Sequence, residues 1–134
     1  MFRRFATLAL AFIGTLMPIA GAGALELSGA WATEADLCNQ IFTKQGNEVV
    51  FAELSDLYGS GFVIDANRIR GKAARCTITS RKQDGENLEL AAACATSIMN
   101  QSVKFQLKVV DDNNLIRLFP EVPGMSLKYT RCKI

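Results

Sequence analysis

The chain has 134 residues, enough for one domain, and carries 15 lysines and arginines against 13 aspartates and glutamates. It contains no histidine, which excludes Ser-His-Asp triads, histidine-ligated zinc sites and proton transfer by an imidazole. Glycine motifs for phosphates or dinucleotides are also absent, so no motif names a molecular function.

The N-terminus follows the order of a secretory signal peptide. Residues 1–4 contain two arginines, residues 5–17 are almost entirely apolar, and small residues follow up to Ala24. The apolar run is shorter than the roughly 20 residues that a membrane-spanning helix needs. We therefore expect a signal peptide that is cleaved after Ala24, with Ala20 and Ala22 as alternative positions.

Residues 25–134 are then expected to form a single domain in the periplasm or outside the cell, without stable insertion in a membrane. The two N-terminal arginines leave with the signal peptide, so the domain has 13 basic and 13 acidic side chains. Nucleic acid is not an expected partner, because the domain is neutral and its basic stretch has no interleaved aromatic residues.

Four cysteines lie in this domain: Cys38, Cys76, Cys94 and Cys132. An even number in an exported chain predicts two disulfides. Their wide spacing is neither a redox C-x-x-C pair nor a zinc pattern, so we expect no metal and no cofactor. Three pairings are open. We favour Cys76–Cys94, which closes a hairpin, with Cys38–Cys132, which ties an early element to the last strand.

The elements predicted along the domain begin with one short helix. Thr33 and Asp36 form a weak capping box before apolar residues at helical spacing, which predicts a helix over residues 34–43. Short apolar segments bounded by turn residues follow at 49–51, 62–64, 76–79, 88–95, 103–110, 115–119 and 125–132. This spacing predicts a mainly β fold, a small antiparallel barrel or sandwich. For the alanine-rich stretch 88–99 a helix is the alternative, and we favour a strand.

Alternation of faces predicts the register of one hairpin. A turn centred on Asp112 and Asn113 pairs Leu107 with Leu118, so that apolar residues meet on one face. In the hairpin around residues 84–85, a two-residue loop would put the two middle cysteines on opposite faces. A disulfide between them therefore predicts a three-residue loop or a bulged turn.

The stretch Glu26-Leu27-Ser28-Gly29-Ala30-Trp31, with Cys38 soon after it, resembles the start of the small periplasmic β-barrel inhibitors of serralysin-type metalloproteases. Its Gly-x-Trp also resembles the first strand of the calycin barrels, which include the lipocalins. The resemblance implies an eight-stranded barrel and an N-terminal segment that enters a protease cleft. The alternative is that Trp31 only fills the base of a small barrel.

Taken whole, the chain resembles the small four-cysteine exported proteins of unknown function from α-proteobacteria. The segments that carry this resemblance are 29–31, Cys38, 57–62, Cys76, 93–94 and 129–132. The resemblance implies export and disulfides, and it supplies no activity.

Charge is segregated along the chain. Residues 66–83 hold six basic side chains and no acid, whereas residues 34–65 hold six acids and one lysine. On a strand, Arg68, Arg70 and Lys72 share one face, a stripe suited to an anionic envelope polymer or an acidic protein. The alternative is that acidic and basic strands pair with each other across a sheet.

The loop over residues 56–62 carries two further candidates for partner binding, Tyr58 and Phe62, beside flexible glycines. Aromatic rings on such loops bind sugars or peptides by stacking and hydrogen bonding. The alternative is that both rings fold back onto the core.

Together these features predict a non-enzymatic exported module that binds or inhibits a protein or an anionic envelope component. No catalytic residue is expected, because histidine is absent and Ser60 lies outside a G-x-S-x-G elbow. The first alternative is a small apolar-ligand carrier of lipocalin type. It requires an open apolar cavity, which a core filled by Trp31, Phe105 and Leu107 would exclude. The second alternative is a structural envelope protein.

Overall fold

The computed structural model of the protein describes Gly14 and residues 26–134. Apart from Gly14, the predicted signal peptide lies outside the described residues, together with its cleavage positions Ala20, Ala22 and Ala24. It stays a prediction. The predicted domain is described from Glu26 onward.

Strands dominate the described part of the chain. Their bounds are β1 Gly29–Ala32, β2 Phe42–Gln45, β3 Glu48–Phe51, β4 Gly61–Asp65, β5 Arg68–Arg70, β6 Arg75–Asp84, β7 Asn87–Ala95, β8 Asn100–Asp111, β9 Asn114–Leu118 and β10 Ser126–Arg131. A 3-10 turn at Ala35–Leu37 continues into one short helix, α1, at Cys38–Ile41. A second 3-10 turn lies at Ser55–Leu57.

Eight strands close into an antiparallel barrel in the order β1-β10-β9-β8-β7-β6-β5-β4, since β1 pairs with both β10 and β4. Strands β2 and β3 form a separate hairpin. Closure leaves the barrel without an unpaired edge strand. The predicted mainly β fold is confirmed, and of the two predicted architectures the barrel is the one found.

Apolar side chains form one core inside the barrel and a second core outside it. The largest fully buried members of the inner core are Trp31, Leu88, Leu90 and Leu115. In the outer core, Ile41 and Phe42 pack against Val63, which faces outward from β4. The segment 33–60 therefore covers the outer wall of β1 and β4.

The helix is shorter than predicted. The sequence favours a helix over residues 34–43, but α1 ends at Ile41 and Phe42 begins β2. The backbone of Phe42 is extended because this residue pairs with Phe51 across the β2–β3 hairpin, and its ring is buried in the outer core. Tertiary packing thus overrides the helical spacing at the end of the segment.

The alanine-rich stretch forms a strand, as favoured, and not a helix. Along β7 the side chains of Leu88, Leu90, Ala92 and Cys94 are buried, and those between them are more exposed. This period of two is the pattern of a strand with one buried face. Residues 96–99 leave the strand and form a loop.

Both favoured disulfides, Cys38–Cys132 and Cys76–Cys94, are present. The shorter bridge joins residues that lie directly opposite each other on β6 and β7. The loop of this hairpin has two residues, and a bulge at Thr79 supplies the extra residue that brings both cysteines to one face. The predicted irregularity therefore exists, but it lies within β6 and not in the turn.

A second bulge, at Val110, decides which face of β9 enters the barrel. The two-residue turn at residues 112–113 is the predicted one. The bulge shifts the register of the two strands by one residue, so Leu107 lies opposite Arg117 and not opposite Leu118. A slip of one residue turns every side chain of a strand to the other face. The predicted pairing of Leu107 with Leu118 is therefore wrong, and Arg117 shares the inner face with Leu107.

Candidate functional site

The two ends of the barrel differ in how they are covered. One end, the closed end, has the segment 26–28 and the short turns 66–67, 85–86 and 112–113. The opposite end, the open end, has the longer connections 33–60, 71–74, 96–99 and 119–125. Access to the interior therefore depends on the open end.

Trp31 and Arg131 seal the closed end. The Trp31 ring is fully buried, and its Nε1–H donates to the carbonyl oxygen of Leu27 at 2.9 Å. The guanidinium of Arg131 lies 4.3 Å from the Trp31 ring centroid and donates to the carbonyl oxygens of Asp112, at 3.0 Å, and Ser28. A cation over an indole ring is electrostatically favourable. Trp31 fills the base of the barrel, in agreement with the alternative interpretation of the Gly-x-Trp motif.

Two carboxylates at the closed end are stabilised in their charged form. The N–H of Ser28 donates to Glu26 at 2.9 Å and lowers the pKa of that carboxyl, with a smaller contribution from the charge of Arg131. The N–H of Asn113 lowers the pKa of Asp111 in the same way. Both carboxyls are fully exposed, so water screens their charges. Their hydrogen bonds fix the N-terminal segment and the β8–β9 turn.

The open end leads into a cavity of about 320 Å³ inside the barrel. Its wall includes Phe62, Ile64, Ile69, Leu90 and Tyr129. Gly61, Gly71 and Ala74 line the cavity from the open end, where β4 begins and the loop 71–74 lies. Phe105 and Leu107 belong to the wall, so they line this space and do not fill it.

Among the described residues, one charged side chain, Arg117, lines this cavity. Its guanidinium carbon lies 4.7 Å from the ring centroid of Phe105 and 4.6 Å from that of Phe119. Within the residues that the structure describes, no carboxylate forms an ion pair with Arg117. The cavity therefore combines a largely apolar wall with one fixed positive charge.

The two aromatic residues predicted to contact a partner lie in different environments. Tyr58 is 41% exposed, on the loop that leads into β4 at the open end. Phe62 lies opposite Trp31 in the β1–β4 pair and points inward, where its ring centroid is 4.8 Å from that of Tyr129. Phe62 is thus part of the cavity wall, as the alternative of a ring folded onto the core expected. Tyr58 is presented to solvent.

The predicted stripe of Arg68, Arg70 and Lys72 is only partly formed. Arg68 and Arg70 share the outer face of β5, but the strand ends at Arg70 and Lys72 lies in the following loop. Arg70 pairs with Glu48 at 3.3 Å, and Lys72 pairs with Asp56 at 2.8 Å. Ion pairs with the acidic segment therefore engage two of these three residues. They reach from β5 and its following loop to the separate β2–β3 hairpin and to the 3-10 turn at Ser55–Leu57, so they are not the predicted pairing of acidic and basic strands across one sheet.

The third basic residue on the outer face beside Arg68 and Arg70 is Arg75, and not Lys72 as predicted. It lies directly opposite Arg70 across β5 and β6. A groove of about 480 Å³ on this face is lined by these three arginines and by Glu48 and Asp65. The groove thus has a small excess of positive charge.

Comparison of the chain with protein-family models, curated proteins and solved structures gives no match. The two resemblances drawn from the sequence therefore stay predictions. In the described part of the chain, no three acidic or cysteine side chains are placed to hold a metal ion. None of the helices there has the length and hydropathy that crossing a membrane requires.

Arg117 is the site residue that the sequence analysis missed. Residues 115–119 read Leu-Ile-Arg-Leu-Phe, which is apolar on both faces except for the arginine. Either register therefore buries apolar side chains, and the alternation carries no signal that selects between them. The bulge at Val110, just before the turn, decides between the two registers, and no residue pattern in the sequence marks it.

Proposed function

We propose that this protein binds and carries a small apolar molecule inside its barrel. The observation that supports the proposal is the cavity of about 320 Å³ that leads in from the open end, with its largely apolar wall. Ligand pockets usually enclose about 300–1,000 Å³ and are lined mainly by apolar side chains. A small ligand would leave water and bury its apolar surface against this wall. The carrier was the first alternative to the binding module predicted from the sequence.

The surroundings of the cavity favour a preformed site. The Cys76–Cys94 disulfide links two strands of its wall, and Trp31 with Arg131 seals the end below it. A site that is already ordered avoids part of the entropy cost of binding. A periplasmic or secreted location belongs to the same proposal, and the two disulfides support an oxidising compartment.

Replacing Ala74 by tryptophan is expected to obstruct ligand entry. Ala74 lines the cavity in the loop at the open end, and an indole there would occupy space that a ligand needs. Decanol is a suitable small apolar probe. We expect isothermal titration calorimetry to show that A74W binds decanol at least about tenfold more weakly than the wild type, a loss of about 1.4 kcal/mol.

Ala73→Trp is the matched control, because Ala73 is exposed and lines a groove on the outside of the barrel. A73W should bind decanol as the wild type does. Urea unfolding of both variants shows whether each retains the fold. The proposal is wrong if the wild-type protein binds no small apolar probe, or if a folded A74W binds decanol unchanged.

A second candidate is the function predicted from the sequence, a non-enzymatic module that binds an anionic envelope component or an acidic protein. The groove on the outer face that Arg68, Arg70 and Arg75 line supports this candidate. Arg68 and Arg75 line this groove, and neither forms an ion pair with any residue that the structure describes. Arg70, in contrast, is engaged with Glu48 and with the carbonyl oxygen of Val49 at 2.9 Å.

Replacing Arg68 and Arg75 by glutamine is expected to weaken binding to dextran sulfate, used as an anionic polymer, by about tenfold, since each exposed ion pair contributes up to about 1 kcal/mol. Retention on a dextran sulfate column at graded salt measures the loss. The control is the double variant K82Q/K104Q, which removes the same charge from exposed positions outside the groove. Equal losses in the two variants would mean that net charge alone acts, and would reject the groove.

A further inference from the structure

We propose that the ligand of the barrel carries one carboxylate, which Arg117 binds near the entrance of the cavity while the apolar part of the ligand lies deeper inside. The inference rests on the proposed carrier function and names its ligand class, a small amphipathic carboxylate. Three observations carry it: the position of Arg117, the two aromatic rings beside its guanidinium, and the absence of an acidic partner among the described residues.

The register of β8 and β9 places Arg117 close to the open end. It shares the inner face with Leu107 and comes one residue before the end of β9. Leu115, two residues earlier on the same face, is fully buried in the inner core. The positive charge therefore lies on the entrance side of an apolar interior, where a ligand's head group would sit if its chain entered first.

The guanidinium of Arg117 contacts the rings of Phe105 and Phe119, whose centroids lie 4.7 Å and 4.6 Å from its carbon. Stacking on aromatic rings orients a guanidinium and leaves its N–H groups available at the edge of the plane. Among the described residues, no oxygen accepts a hydrogen bond from Arg117. Its planar fork of donors matches a carboxylate in two parallel hydrogen bonds, and no described residue engages it.

The charge of Arg117 is partly buried and lacks a counter-ion in the described chain. A charge withdrawn from water is costly unless it is paired, which favours an anionic ligand over a neutral one. Glu121 and Lys104 line a surface depression that Arg117 also reaches. Neither neutralises it, because Glu121 forms no ion pair with Arg117 and Lys104 has the same sign of charge.

The test compares decanoate with decanol, which share one apolar chain and differ in the head group. At neutral pH we expect the wild-type protein to bind decanoate about tenfold or more tightly than decanol, as measured by calorimetry. Arg117→Gln should remove this preference. Its affinity for decanoate should fall by about tenfold or more, and its affinity for decanol should stay within about twofold.

Lys104→Gln is the matched control, since it removes one positive charge near the same end from an exposed position outside the cavity. It should leave the preference for decanoate unchanged. Binding of decanol by R117Q shows that this variant keeps its fold and its cavity.

The outcomes separate the inference from the function on which it rests. Equal binding of decanol and decanoate by the wild type, or equal losses in R117Q and K104Q, would overturn the role of Arg117 and leave the carrier function standing. If neither probe binds the wild-type protein, the carrier function itself fails.

Discussion

Replacing both Cys38 and Cys132 by alanine is expected to lower the free energy of unfolding by about 4.5 kcal/mol. The bridge joins residues separated by 94 positions, which is most of the described domain. In the chain-entropy account a cross-link stabilises the fold by restricting the unfolded chain, and long loops gain most. Urea unfolding of the oxidised protein measures the loss as a shift of the midpoint.

The same bridge fastens the outer core to the barrel. Cys38 begins α1, Cys132 directly follows β10, and Cys132 is buried in one cluster with Ile41 and Phe42. Without the bridge, the segment 33–60 is held to the barrel by its packing, its hydrogen bonds and the exposed ion pairs of Glu48 and Asp56. In the double variant we therefore expect amide hydrogen exchange to accelerate more in this segment than in the barrel strands.

The second disulfide provides the control. Cys76 and Cys94 are separated by 18 positions, so the same account gives a loss of about 3 kcal/mol when both are replaced by alanine. The ranking of the two losses is the sharper part of the prediction. A larger loss for the short bridge would mean that packing inside the barrel, and not loop closure, decides what these disulfides contribute.

Elements that depend on local alternation and on cysteine spacing were predictable from the sequence. In β7, Leu88, Leu90, Ala92 and Cys94 alternate with more exposed residues, and this period of two outweighed the helical propensity of the alanines. The disulfide pairing followed from the hairpin that the middle cysteines flank. The closed barrel itself was one of two predicted architectures, because short strands at regular spacing are common to both.

The positions of the two bulges were not predictable, and they decide which side chains face the interior of the barrel. The extra residues at Thr79 and Val110 change the facing of long strands, yet neither residue type marks a bulge. At Val110 the consequence is large because β9 is apolar on both faces. The bulge pairs Leu107 with Arg117 and so places Arg117 inside the barrel, whereas the sequence predicted that Leu107 pairs with Leu118.

The predicted basic stripe of Arg68, Arg70 and Lys72 assumed that one strand continues through residues 68–72. The strand β5 ends at Arg70 because Gly71 turns the chain, with its N–H donating to the carbonyl oxygen of Ala74 at 2.8 Å. Lys72 therefore falls in a loop, and Arg75 occupies the outer face from the neighbouring strand. Charge counts along a chain do not contain this information.

Replacing Gly61 by alanine is expected to destabilise the protein by about 3 kcal/mol or more, at the upper end of the range for overpacked sites. A Cβ at this position would overlap the carbonyl oxygen of Trp31 and lie 2.8 Å from the ring of Phe42. Gly61 begins β4 opposite Ala32, where strand pairing and the outer core meet. The carbonyl oxygen of Trp31 cannot move without disturbing the β1–β4 pairing, so a small local shift does not relieve the overlap.

Gly71→Ala is the matched control, since both glycines line the cavity near its entrance. A Cβ on Gly71 would meet the carbonyl oxygen of Ala74 at 3.7 Å, an ordinary contact. We expect its free energy of unfolding to stay within about 0.5 kcal/mol of the wild type. Urea unfolding compares the two variants, and equal stability would contradict the packing described here. A selective loss in G61A would show that the close approach of β1, β4 and Phe42 leaves no room for a side chain at this position.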